Sequence, residues 1–301
     1  MRTPGVTFSN NMQNLLGNNQ MRLNKLMTQI GEQKRVTVPS DDPVATTHIG
    51  LLRRELAINS QFQQNINRLA SNLSLQETHI NAINQQLLSL LDRLREANNS
   101  TLGAGDMQGY ASMMRAQLSA IVGQINASDE NGRYLFGGTR TDRPPLVQDA
   151  SSGRWFYQGN EESRATQVGH GVEMPVNTAL QGVFGPDFAT LNQWQALIEQ
   201  MDNSTLDPTR YMAEIGELQQ AIQLSSDRAA ALYSDLGGRQ NNLTLLANAH
   251  VDNSTISQQV IGELEALDMG EAVMRLNQHQ LGTQASYKSF NQIAGLSLFQ
   301  T

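Results

Sequence analysis

The sequence contains no cysteine. That single absence excludes a disulfide framework, a thiolate nucleophile and any cysteine-based zinc site. Aromatic residues are scarce, at 5% of the chain. A large compact enzyme core normally draws on Phe, Tyr and Trp, because these bury the most area per residue. Charged residues are also few, at 16%, and leave a formal net charge of -7. A duplex-binding protein needs clustered Lys and Arg to displace counterions. The only adjacent basic pairs are Lys34-Arg35 and Arg53-Arg54, and each reads as a solvated helix face. Nucleic acid is therefore not an expected partner. No run approaches the ~20 apolar residues of a membrane span, so a membrane is not expected either. The first residues, MRTPGVTFSNNMQNLLGNNQ, lack the apolar stretch of a cleavable signal. Export, if it occurs, needs a route without one.

Asn and Gln are abundant instead, at roughly a fifth of the chain against an ordinary composition. This suits thin helical layers with much solvated surface. The strongest pattern is heptad-like periodicity at both ends. Met12, Leu16, Leu23, Leu26 and Ile30 make one stripe of a short helix. That helix stops before Val36-Thr37-Val38-Pro39, because a residue preceding proline is pushed out of helical geometry.

Ser40-Asp41-Asp42-Pro43 starts a second helix, with Asp42 placed to cap it and Pro43 suited to its first position. Its seam runs Ile49, Leu52, Leu56, Asn59, Gln63, Ile66, Ala70, Leu73, Glu77, Ile80, Asn84, Leu87, Leu91, Leu94, in steps of three or four. Such a helix is about 70 Å long. Leu102 to Asp106 breaks it, and a third helix carries Tyr110, Met114, Leu118, Ile121 and Ile125. From about Phe136 to Gly185 the character changes to prolines, glycines and short apolar runs. Trp155-Phe156-Tyr157 and Val172 to Val176 read as strands between turn signals. A helix around Leu191 to Met201 follows.

Asp207-Pro208 starts the second long seam: Tyr211, Ile215, Leu218, Ile222, Ser225, Ala229, Leu232, Leu236, Arg239, Leu243, Leu246, weakening at His250 and resuming at Val260. A last helix after Met269-Gly270 carries Ala272, Leu276, Tyr287, Phe290, Ile293 and Leu296. The expected fold is mainly α: a long antiparallel bundle or coiled coil formed by N- and C-terminal segments, with a small β-rich domain inserted in the middle. The polar seam positions Asn59, Gln63, Glu77, Asn84 and Arg239 are costly in a closed core, and tolerable where a seam meets water or a neighbouring subunit.

Nothing in the chain assembles an active site, and no cofactor or metal is expected. His48, His79, His170, His250 and His279 are scattered singly, outside any zinc motif, and read as surface or helix-face residues. Asp41-Asp42 is explained by capping rather than by acid–base chemistry. Gly103, Gly105 and Gly109 approach a dinucleotide fingerprint with the wrong last spacing, and read as a linker. Gly137-Gly138 reads as a turn.

Several motifs then fall in a telling order. Lys34-Arg35, Pro39 to Ala45 and Leu52 to Leu56 stand near the N-terminus. Asn131 to Thr139 closes the first helical block. Tyr157 to Asn160 and Asn177 to Phe184 lie in the β region. Asp268 to Ala272, Gln284 to Tyr287 and Ser297-Leu298-Phe299 stand at the end. Together they resemble the hook-associated protein 3 family of the bacterial flagellum over nearly the whole chain. Flagellin is the relative to set aside: Ser40-Asp41-Asp42-Pro43-Val44 and the ending Ser297 to Thr301 differ from its usual elements. Gln300-Thr301 departs from the more apolar ending of the hook-associated family.

The resemblance implies that residues 1–40 and 268–301 form inner-tube helices, disordered in the free monomer. Assembly contacts would come from Met12, Leu16, Leu23, Leu26, Ile30, Leu276, Tyr287, Phe290, Ile293, Leu296, Leu298 and Phe299. Residues 41–136 and 188–267 would form the outer helical layer, and 137–187 an outward-facing β insertion. It also implies secretion by the flagellar type III route, an extracellular flagellar location and a structural, non-enzymatic role. The implied partners are hook-associated protein 1, flagellin, copies of itself in a ring and an export chaperone. Two alternatives remain: a flagellin filament subunit, or a surface adhesin using Trp155-Phe156-Tyr157.

Overall fold

The computed structural model describes residues 3–99, 104–202 and 208–298. Seven α-helices, one 3-10 turn (Pro186–Phe188) and two small strand pairs are present among them: α1 (Thr3–Glu32), α2 (Pro43–Asn99), α3 (Ala104–Ile125), β1 (Leu146–Gln148), β2 (Trp155–Tyr157), β3 (Ala165–Gly169), β4 (Val172–Pro175), α4 (Gln181–Phe184), α5 (Ala189–Asp202), α6 (Pro208–Glu265) and α7 (Met269–Leu298). The chain is thus mainly helical, as the periodicity requires. Two boundaries differ from the sequence reading. The first helix runs for 30 residues rather than a short stretch. Gly105 and Gly109 lie inside α3 rather than in a linker. A helical glycine costs ~1 kcal/mol relative to alanine. The stripe Ala111, Met114, Leu118, Ile121 and Ile125, all buried, carries α3 across that cost.

Two compact units divide the chain, Met1–Ile58 with Val251–Thr301, and Asn59–His250. The second unit holds one continuous core. Ile66, Leu73, Ile80, Leu87 and Leu94 of α2 join Ile215, Leu218, Ile222, Leu236 and Leu243 of α6 in it. α3 packs on α5, which adds the buried Trp194, Leu197 and Ile198. Within this unit α2 and α6 run antiparallel. Ser226 Oγ donates to Asn84 Oδ1 at 2.8 Å, and Gln240 Nε2 donates to Glu77 Oε2 at 2.7 Å, so positions rise on one helix as they fall on the other. Glu77 and Asn84, polar seam positions, are therefore paired within the chain. Leu232 and Leu246 pack against this core half-buried.

The β segment shares that core. β1 pairs with β2 and β3 with β4, both antiparallel. Phe136, Leu146, Val168, Leu180 and Phe184 are buried with the helical residues. Three hydrogen bonds fasten the β3–β4 hairpin to the long helices. Gln76 Nε2 of α2 donates to Val176 O at 2.8 Å, Asn65 Nδ2 to Gln167 O at 2.8 Å, and His250 Nε2 of α6 to Val168 O at 2.8 Å. His250 is buried, with Phe62 5.3 Å from its ring. It is a structural fastener rather than a surface histidine, and only its partner 82 residues away reveals that. The Gly137-Gly138 turn has Gly138 at φ +71°, where a Cβ would collide with Asn160.

Candidate assembly surface and connecting network

The first unit is built around the two terminal helices. α1 packs along α7. Met12, Leu16, Leu23, Leu26 and Ile30 of α1 are half-buried, as are Leu276 and Phe290 of α7. Tyr287, expected on the same stripe, is exposed. The pair covers one stripe and leaves other apolar side chains uncovered: Leu15, Met21, Met27, Met274 and Leu281 are each more than half exposed, Leu281 at 66%. Ile293, Leu296 and Leu298 continue the helical backbone of α7. Asp207 and Phe299 lie outside the described residues, and Pro208 opens α6. In α2, Leu52 and Leu56 are half-buried where Ala45 and Ile49 are buried.

A dense polar network joins the chain turns at the ends of α1 and α6. Pro43 opens α2, and Asp42 Oδ1 accepts from Ala45 N at 2.9 Å. Asp41 does something else. Its Oδ2 accepts from Thr37 N, Thr37 Oγ1 and Val38 N at 3.1, 3.0 and 3.2 Å, and its Oδ1 meets Lys25 Nζ at 2.5 Å. Burial works against the charged form of Asp41, whose side chain is only 4% exposed, yet the Lys25 and backbone hydrogen bonds outweigh it. The carboxyl is lowered to about 2. The adjacent carboxylates therefore divide the work: one caps a helix and the other organises the turn before it. Ser40 is exposed in that turn.

Glu265 is the hub that the sequence reading missed. Its carboxylate receives Lys34 at 2.7 Å and Arg53 at 2.6 Å, and its side chain is 13% exposed. Arg35 adds its backbone N–H to Glu265 O at 2.7 Å, its Nη2 to Leu264 O at 3.0 Å and its Nη1 to Asp42 at 2.9 Å. Lys34, Arg35 and Arg53 are thus paired, while their side chains stay 42, 46 and 61% exposed to solvent. Two basic pairs far from one acid in sequence gave no signal of this. The charges bind the α1–α2 connection and the start of α2 to the end of α6.

Among the described residues no group of three or more His, Cys, Asp or Glu could hold a metal ion. No described helix is long and apolar enough to cross a membrane. The aromatic run of β2 is mostly structural. Asn192 brackets the Trp155 backbone, with Trp155 N donating to Oδ1 at 2.8 Å and Nδ2 donating to Trp155 O at 3.1 Å. Tyr157 stacks on Phe188 at 5.2 Å and donates to Phe136 O at 2.8 Å. Phe156 alone of the three is exposed.

Comparison with known proteins agrees with this architecture. Residues 6–141 match the bacterial flagellin N-terminal helical region. The chain is 27% identical to flagellar hook-associated protein 3 of Salmonella typhimurium, over 96% of each chain. It is 26% identical to flagellar hook-associated protein 3 of Escherichia coli, over 98% of this chain and 99% of that one. Among solved structures, a flagellar hook-associated protein from Vibrio parahaemolyticus superposes with a TM-score of 0.69 at 32% identity, covering 75% of this chain and all of that one.

Proposed function

Because the chain belongs to the flagellar hook-associated protein 3 family, we propose that it is the structural adaptor joining the flagellar hook, through hook-associated protein 1, to the flagellin filament. The observation that carries this reading is the match to hook-associated protein 3 over nearly the full length at both ends of the alignment. The flagellin-type N-terminal region alone is compatible with a filament subunit. The full-length likeness favours the junction.

In this reading residues 1–40 and 268–301 are the inner-tube helices. Their uncovered apolar side chains, Leu15, Met21, Met27, Met274 and Leu281, are what neighbouring copies cover. Residues 41–136 and 188–267 are the outer helical layer, and 137–187 faces outward. Head-to-tail contacts that close by rotation build a ring of copies. The work is mechanical, coupling two tubes, and needs no catalysis. The protein is secreted through the flagellar type III channel with the help of an export chaperone, and acts outside the cell.

Deleting the gene tests the reading. Electron microscopy is expected to find hooks without filaments, with flagellin released into the medium. Normal filaments on the deletion strain would overturn the proposal.

A further inference from the structure

An open groove of about 680 Å³ lies in the second unit, between α2, the turn at residues 128–135 and the β3–β4 hairpin. Arg68 of α2, Arg133 of the turn and Arg164 beside β3 all line it. None of the three side chains forms an ion pair among the described residues. Arg164 Nε is buried without a hydrogen-bond partner. Two acids line the groove as well. Asp129 is committed to its own turn, accepting from Asn131 N at 2.9 Å and Arg133 N at 2.8 Å, and Glu130 is exposed. Three unpaired guanidiniums from three elements leave the groove short of carboxylate.

The other face of the same hairpin has the opposite character. Side chains alternate across a strand. Thr166, opposite Met174, lines the groove. Gln167 pairs with Glu173, and both are exposed on the far face. Glu173 forms no ion pair among the described residues, and Glu161, in the segment that leads into β3, is exposed. The inner side of the hairpin thus faces a groove lined by three arginines, Arg164 beside β3 among them, while its outer side presents Glu173. A ring requires just such a pair of different, complementary surfaces, since its contacts are heterologous.

We propose that the arginine groove of one copy receives the outer face of the β3–β4 hairpin of the next, with Glu173 as the anchoring carboxylate. Arg forks bind carboxylates in bidentate geometry, which gives the contact register as well as attraction. This inference rests on the proposed junction role, which supplies the neighbouring copies.

Charge reversal tests it in the full chain, expressed in the deletion strain. Arg68 and Arg133 are exposed, as are Glu161 and Glu173, so reversal leaves the core untouched. Arg68→Glu with Arg133→Glu, or Glu161→Arg with Glu173→Arg, is expected to lower the amount of this protein in purified flagella at least about tenfold, because like charges then face each other. The four changes together are expected to restore it. Reversals that incorporate normally, or a fourfold variant that stays excluded, would overturn the proposal. The cysteine-free chain allows a second measurement. Arg133→Cys with Glu173→Cys is expected to give a disulfide-linked ladder of copies in oxidised flagella, and monomer alone would count against the contact. If the unaltered chain restores filaments while the variants behave as it does, the groove proposal fails by itself. If the unaltered chain restores nothing, the junction role fails and the groove proposal with it.

Discussion

At the scale of single residues, the most informative pair is Asp41-Asp42. Adjacent identical side chains do unlike jobs because one faces the α2 N-terminus and the other faces Lys25 and the turn. The Asp41 carboxyl is held at about 2, below its ordinary 3.8. The charged form is thus favoured in the folded state. Its contribution is fully present above pH 3.8 and is lost as the pH falls toward 2. Asp41→Asn is expected to reduce stability near neutral pH by on the order of 1 kcal/mol, after allowance for solvent screening. The difference from the parent chain should shrink as the pH approaches 2. Urea unfolding at several pH values measures this; a deficit that is constant with pH would remove the charge from the explanation. His250 makes the complementary case, a polar group placed in the core because Val168 O needs a donor there.

At the scale of elements, helix ends carry most of the specificity. α7 starts where Asp268 Oδ1 accepts from Glu271 N at 3.0 Å and Asp268 O accepts from Ala272 N at 2.9 Å. Losing such a cap costs about 1 kcal/mol. Asp268→Ala is therefore expected to accelerate amide exchange in the first turn of α7 several-fold, with little change in the α2–α6 core. Uniform acceleration across the chain would instead mark Asp268 as part of the global fold. α6 runs 58 residues through the stretch where its apolar seam weakens. His250 and the buried Ser257 occupy seam positions there. Helix continuity needs only backbone bonding and tolerable side chains, so a weakened seam does not end a helix.

At the scale of the whole molecule, the two units differ in how much apolar surface they close. The second unit has a continuous core with Trp194, Phe136, Phe184 and Phe188 fully buried. The terminal pair half-buries one stripe and leaves other apolar side chains exposed. Local stability follows buried apolar contact. Hydrogen exchange of the isolated chain is expected to be slowest at Leu73 to Leu94 and Ile215 to Leu236, and fastest in α1 and α7. In assembled flagella, exchange in α1 and α7 is expected to slow markedly as neighbours cover their exposed apolar side chains. Equal protection of α1 and α7 in free and assembled protein would contradict their role as assembly helices.

The long helices α2 and α6, the strands at Trp155 and Val172 and the proline-marked starts were legible in the sequence, whereas the length of α1, the start of α3, and α4, β1 and β3 were not. Each legible feature rests on neighbours within a few positions: the 3.6 and 2.0 periodicities, capping chemistry and turn residues. The sequence placed Asp42 before a helix, but not Asp41 against Lys25. It could not pair Lys34, Arg35 and Arg53 with the end of α6, because Glu265 stands more than 200 positions from each of them. It marked Glu77 and Asn84 as costly without their partners Gln240 and Ser226. The arginine groove joins α2, a turn and a hairpin that no local pattern connects. Periodicity fixes which face of a helix turns inward; only the folded chain decides which distant charge or carbonyl meets it there.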